Sequence, residues 1–489
     1  MQASWTVLSL TGLYMAVLGV ISFAAKRYAN SAKSFTSGGT TYPAILIGFL
    51  LMSEFIGTTA SIGTAQVAYT HGISGAWSLA VLGIGFVLYS MLLARRFKAL
   101  GENTISGALS RIYGTKVKVA TSVIMIFAIQ IVAISVYTSG GAVLSSILGI
   151  DRTVAIVLTG IVAVLYVTVG GMRSVIYTNV LHALVKYLGI FIAFVFALNQ
   201  VGGMGELQAR LPEKMFEVGT VGWPQIIAWF IAATGAIFST QYVIQAISTV
   251  SDGAKAQRAS LYSAILLIGF SLLAAGIGMC AAVLSPTIPP LQAFPSIIAR
   301  MDTVTAAFVV AGLSGSLFGT ISAVSIGTAT LLFKDFYQPL FKDRGDGQRS
   351  LLFVRVATVV VGLIPLPFAI LAPDVVKVTF LAKALRATLA VLVLLLFYAP
   401  WFGTRLGALI SILASLVLTI AWFLFGDPFG IDNTYIAVAI PIVVMSVSHL
   451  LRGLTGSERP GHLPEEVTGE FEQAGESALS LHATAPRAR

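Results

Sequence analysis

Charge is scarce in this chain. Only 10% of its 489 residues are charged, against about a quarter in an ordinary soluble domain, and that shortage excludes a water-soluble fold. Cysteine is nearly absent. The one thiol, Cys280, cannot close an intrachain disulfide and sits in an apolar run, so it reads as a small packing residue rather than a metal or redox group. Signatures of catalysis are missing as well. No GxxxxGK[ST] loop, HExxH pair or nucleophile elbow occurs, which leaves ATP-driven transport and membrane hydrolysis without support. We expect no enzyme. The first apolar stretch has no basic n-region and no small-residue cleavage site, so it is expected to stay as a span.

What the chain has in abundance is hydrocarbon, 57% of its residues. Apolar blocks recur from Trp5 to Leu451, each with the roughly 20 residues needed to cross a ~30 Å hydrocarbon layer at about 1.5 Å per residue. A barrel would alternate in polarity, whereas Val391 to Tyr398 is continuously apolar. The expected fold class is therefore an all-α polytopic membrane protein with about thirteen spans. They begin near residues 5, 43, 76, 118, 153, 176, 223, 260, 303, 351, 376, 405 and 432.

An odd number of spans puts the termini on opposite sides. With the N-terminus outside, most of the 30 basic residues, Arg95, Arg96, Lys98, Lys334 and Lys342 among them, fall in inner loops. That is the positive-inside bias, and it predicts a cytoplasmic C-terminus in a bacterial plasma (inner) membrane. The charge of +10 thus records topology and gives no reason to expect nucleic acid as a partner. We read residues 1–452 as the transmembrane domain. Residues 453–489 turn polar and acidic and are expected to form a disordered cytoplasmic tail, far too short for a catalytic domain.

The second stretch, Tyr42 to about Tyr69, is roughly 42 Å long as one helix, too long for the bilayer. Its middle, Gly57 to Thr64, combines two glycines with four hydroxyls. Such a run suits a helix that unwinds and turns carbonyls toward a ligand, or else a face of small residues for helix packing.

Four motifs occur in order: SEFIGTTASIGTAQVAYTHG in the second span, GGMRSVIYTN opening the sixth, STQYVIQ in the seventh and SGSLFGTISAVSIGTATLLFKDFY in the ninth. Through them the chain resembles the sodium:solute symporter family over about residues 1 to 450. The resemblance implies a LeuT-like fold with two inverted repeats of five helices, about residues 42–200 and 223–401, in which helices 2 and 7 are discontinuous. It also implies a sodium site between spans 2 and 9. Aligned without gaps, its ligand positions are Ser53, Ile56, Ser316 and Thr320, so a bound sodium ion is the one cofactor to consider. Two positions depart from the family. Gly319 stands where a second hydroxyl is usual, and Asn179 where an Asp is usual.

Lys186 lies seven residues after Asn179, on about the same helical face. Some LeuT-fold transporters that do not need sodium place a cation of this helix at the vacated site. Lys186 could do so here and couple transport to protons, or it could pair with Glu54, the one acidic residue within a span. Glu54, Asn179 and Lys186 are thus the coupling candidates, and sodium or a proton the coupling ion.

Arg386 and Lys383, about ten residues into the eleventh span, add positive charge that Glu54 does not balance, unless they belong to an outer interfacial turn. An anionic or zwitterionic small solute, a monocarboxylate or an amino acid, is the expected partner. The sugar-binding positions of the family match Ala60, Leu79 and Thr240, which would deprive a sugar of its hydrogen-bond partners. Gln241 and Tyr242 match the surroundings of a gating aromatic. Thr58, Thr59, Ser61 and Gln66 border the interrupted helix. With Thr240 and Arg386 these complete the substrate-site candidates. The sequence reads as a symporter working by alternating access. A solute sensor, a channel, or a sodium-coupled sugar or vitamin symporter stand as alternatives.

Overall fold

A computed structural model describes residues 5–26, 31–37, 41–148, 150–342, 347–371, 375–452 and 458–461. Among the described residues there is no strand. The longer helices are α1 (Trp5–Lys26), α2 (Ala44–Phe55), α3 (Thr58–His71), α4 (Trp77–Leu92), α5 (Thr115–Leu148), α6 (Arg152–Val201) and α7 (Trp223–Ser239). They continue with α8 (Gln241–Ser248), α9 (Gly253–Leu284), α10 (Thr303–Leu331), α11 (Gln348–Leu363), α12 (Val375–Tyr398), α13 (Arg405–Leu424) and α14 (Asn433–Leu450).

Nine helices among the described residues are long and apolar enough to cross a membrane, ten if the bent pair α7 and α8 is one span. About thirteen were expected, and the difference has a physical origin. Ala44–Phe55 is apolar but short, and residues 60–92 run through a 3-10 turn as one long element.

The helix starts follow local chemistry. Asp252 and Asp302 cap α9 and α10 by accepting backbone N–H groups at 2.8 and 3.1 Å. α6 is kinked at Gly171, where φ is 62°, a conformation open to glycine. A Cβ there would also lie 2.8 Å from the Phe35 ring, so the kink is fixed by packing as well.

Its second half runs antiparallel to α10. Val309 faces Gly189, Gly312 faces Lys186 and Gly319 faces Asn179, the small residue on one helix receiving the other's backbone or side chain. Among the candidate spans α10 and α12 are the most enclosed, whereas α13 and α14 expose residues such as Val417, Leu418 and Val443 to the surroundings. Apolar outward faces are what a hydrocarbon solvent allows.

Past Leu331, α10 widens into a π-helical turn, Leu332–Tyr337, that carries the buried Asp335. Its carboxylate takes the Lys118 ammonium at 3.1 Å, the Ser122 hydroxyl at 2.5 Å and the Ser106 hydroxyl, tying α5 and the short helix Ile105–Tyr113 to this end. The four described residues after Arg452 also dock here. Glu458 pairs with Arg405 at 2.5 Å, and the Gly461 N–H donates to the Ile112 carbonyl at 2.7 Å. The remainder of the expected tail lies outside the described residues.

Candidate solute and ion site

The second span is broken, but over a shorter stretch than the sequence suggested. α2 stops at Phe55, Ile56 caps it, and Gly57 with ψ of 166° starts α3 without a side-chain cap. The residues from Thr58 to Thr64 are helical, because hydroxyl side chains are tolerated in a helix once the chain has turned at Gly57. Ser53 and Ile56 therefore sit at a helix end, where carbonyls have no intrahelical partner. This is the donor type that a hard cation takes.

The seventh span bends by 46° at Thr240. The Thr240 hydroxyl turns back to the Ala236 carbonyl and accepts from Arg386 Nη1 at 2.9 Å. Ser239 Oγ donates to the Arg386 carbonyl at 2.6 Å, so α12 is fastened to the bend at two points. Arg386 Nε also donates to the Ala382 carbonyl at 2.9 Å.

Between the two interruptions lies a cavity of about 120 Å³. Its polar members include Glu54, Thr64 and Ser78, Ser135, Thr320 and Thr379, and Thr240, Lys383 and Arg386. Glu54, Arg386 and Tyr242 are close enough to influence one another's charge. Even so, none of the ion pairs among the described residues joins Glu54 to either cation. One Glu54 carboxylate oxygen, Oε1, has no hydrogen-bond partner.

Aromatic rings bound the space. Tyr242 donates to the Leu50 and Leu51 carbonyls at 3.3 and 3.2 Å and so bridges α8 to α2. Trp229 and Phe380 stack at 5.6 Å, and Trp229 precedes Thr240 by about 16 Å of helix. The cavity thus has Tyr242 toward one end and the Trp229–Phe380 pair toward the other.

Of the residues expected from sequence, the cavity gathers Glu54, Thr240, Tyr242, Thr320 and Arg386. Leu79 and Ala60, at the positions matched to sugar ligands, line it too. Others are placed elsewhere. Gln241 spends its amide on the Asn103 carbonyl and the Ile105 N–H, both at 3.0 Å, where it serves the start of the helix Ile105–Tyr113. Ser61 and Gln66 are not in the lining, although the Ser61 hydroxyl and the Gln66 carbonyl oxygen are buried without partners. The side chains of Thr58, Thr59 and Ser316 lie outside those described.

The two departures from the family pattern meet in space. The Asn179 amide oxygen occupies the volume that a side chain at Gly319 would fill, and neither amide atom has a hydrogen-bond partner. His182, one turn on, is bonded through Nδ1 to the Tyr14 hydroxyl at 2.6 Å. Lys186 is buried but is not a cavity residue. It packs against Gly312, with Nζ 5.6 Å from the centre of the Phe270 ring. Gly312 precedes Thr320 by eight residues, about 12 Å of helix.

Sequence reasoning missed the Trp229–Phe380 pair and the apolar wall of Leu82, Ile129 and Val132. An apolar residue in an apolar span carries no mark of what it faces. Lys383 did carry one, since it precedes Arg386 by three residues and so shares its helical face.

The model of the sodium:solute symporter family matches residues 35–415. The high affinity choline transporter 1 of Homo sapiens is 22% identical over 398 residues, covering 76% of this chain and 69% of that protein. Among solved structures, a Na+-coupled sialic acid symporter in a substrate-bound outward-open state superposes with a TM-score of 0.79. It is 17% identical and covers 94% of this chain and 100% of its own. A nucleobase-cation-symport-1 family transporter, closed with bromovinylhydantoin bound, gives 0.59 at 13% identity over 91% of this chain and 98% of its own.

Proposed function

The chain belongs to the sodium:solute symporter family, whose members are transporters and not enzymes, and on that premise we propose that it is a secondary active transporter importing a small organic anion by alternating access. One observation carries the anion. Two buried cations, Lys383 and Arg386, share a cavity with one carboxylate, Glu54, at the breaks of two spans. Buried charge in a membrane protein is sustained by a partner, and a negative solute group supplies it.

The architecture we propose is the two inverted repeats of about residues 42–200 and 223–401, whose interrupted helices α2–α3 and α7–α8 meet at the cavity. The basic inner loops support a bacterial plasma membrane protein with its N-terminus outside and its C-terminus in the cytoplasm.

Family membership supports sodium as the coupling ion, held by the Ser53 and Ile56 carbonyls with Ser316 and Thr320. A second reading, proton coupling through Lys186, is favoured by the loss of the hydroxyl at Gly319 and by an ammonium buried within a span. The deciding experiment is uptake of labelled propionate, pyruvate and alanine into proteoliposomes with an imposed sodium or pH gradient. A symporter accumulates its solute above the outside concentration and stops when the gradient collapses. Non-saturating flux that only equilibrates would make the protein a channel.

A further inference from the structure

The charges of the cavity are not equivalent. Arg386 is committed to the protein. Its guanidinium donates to the Thr240 hydroxyl and to the Ala382 carbonyl, and it lies within the field of Glu54. Lys383 is different. It is 8% exposed, lines the cavity, and rests its ammonium 4.2 Å from the centre of the Phe380 ring. No hydrogen bond or ion pair joins it to any described residue. A ring face attracts an ammonium but offers no acceptor for its protons.

Once Glu54 is set against Arg386, the protein's own side chains leave a single positive charge in the cavity, that of Lys383. One carboxylate neutralises it. A dicarboxylate would bring a second negative charge into a low-dielectric space, and an amino acid would bring an ammonium whose one available acceptor, Glu54, already faces a guanidinium.

Three of the hydroxyls around the cavity are already bonded. Thr64 and Ser78 bond each other at 2.9 Å, Ser78 donates to the Gly75 carbonyl, and Ser135 donates to the Val132 carbonyl at 2.8 Å. Little is left for a hydroxyl-rich solute, and the rest of the wall is hydrocarbon and aromatic ring. An apolar cavity of about 150 Å³ holds benzene, so the ~120 Å³ here matches a molecule of about five, and no more than about six, non-hydrogen atoms.

Building on the symporter reading above, we propose that Lys383 is the anchor for the lone carboxylate of a short-chain monocarboxylate, whose apolar body lies against the stacked Trp229 and Phe380 rings. Two features follow from the geometry. The carboxylate meets the ammonium over the face of the Phe380 ring, and the ring stack excludes water from the chain of the acid. Replacing Lys383 thus weakens binding of the acid, and replacing Trp229 shortens the preference along the chain.

The test is ligand-induced thermal stabilisation of the purified full chain by sodium propionate and sodium butyrate, with sodium chloride as the salt control. Propionamide, alanine and sodium succinate are compared at equal concentration. The two monocarboxylates are expected to raise the melting temperature saturably and the other three to leave it unchanged. Lys383→Gln should weaken the response at least tenfold in half-saturating concentration, and Lys383→Arg should keep part of it. Should Lys383→Gln not fold, Trp229→Ala replaces it, with a predicted loss for butyrate larger than for propionate.

The assignment is overturned if alanine or succinate stabilises as well as propionate, if neither monocarboxylate stabilises, or if Lys383→Gln responds like the wild type. Gradient-driven accumulation of succinate or alanine would overturn it and leave the symporter reading intact. A propionate shift with flux that merely equilibrates would do the reverse.

Discussion

Replacing Arg386 by Gln removes a guanidinium that holds the bend of the seventh span and faces Glu54. Two hydrogen bonds from a charged donor are lost, to Thr240 and to Ala382, each at 2.9 Å. Such bonds contribute roughly 1.5–3 kcal/mol each, and glutamine recovers one of them. The larger effect is on Glu54, which lines the same cavity and already has one oxygen without a partner. No ion pair joins it to Arg386, so the charges sit more than 4 Å apart; at an effective dielectric of about 20 a separation of roughly 6–8 Å gives an attraction of roughly 2–3 kcal/mol. Arg386→Gln should therefore destabilise the protein by about 3–5 kcal/mol, as expected when one of two buried opposite charges is deleted. The double variant Glu54→Gln with Arg386→Gln should be more stable than the sum of the single effects by roughly 2–3 kcal/mol. Tryptophan fluorescence during thermal unfolding in detergent reads all four proteins, since Trp229 borders the site. Effects that add within about 0.5 kcal/mol would show that the two charges do not interact and would refute the electrostatic picture of the cavity.

Other consequences can be checked alongside. Gly319→Ser places a hydroxyl where the Asn179 amide lies, so its melting temperature should drop and recover when Asn179→Ala is added. Lys186→Ala should abolish uptake or change its ion dependence while Lys342→Ala does little; equal transport by both would remove Lys186 from coupling. Asp335→Asn breaks a buried ion pair to Lys118, and chemical unfolding should register a loss of about 3–5 kcal/mol. Tyr242→Phe gives up a hydroxyl shared by the Leu50 and Leu51 carbonyls, for which calorimetry should find a loss of about 1 kcal/mol.

The break in the second span was legible because two glycines and four hydroxyls stood in the middle of a hydrocarbon run too long to cross the bilayer unbroken. Its position was less so, since a helix needs only Gly57 to turn, and Thr58 onward resumes regular geometry. Charged residues were legible for a similar reason. Glu54, Lys383 and Arg386 each stand out in an apolar span, and the fold brings all three to one cavity.

Polar neutral residues misled more easily. Gln241 adjoins the bend at Thr240, yet its amide turns away to serve the backbone of Asn103 and Ile105. Lys186 and Asn179 share a helical face, but seven residues of rise separate them, and only Asn179 reaches Gly319. The wall of Leu82, Ile129, Val132 and Trp229 comes from three different helices. No local pattern could mark it, because it exists only once the helices have packed.

The central claim is that the cavity between the interrupted spans holds the solute and opens to each side in turn. The most direct measurement is accessibility of a single thiol at position 79, made as Leu79→Cys with Cys280→Ala so that no other cysteine is present. In oriented proteoliposomes, a membrane-impermeant maleimide should label it from either face, and a transported monocarboxylate should protect it from both. Labelling from one face only, or labelling that no solute slows, would contradict the account.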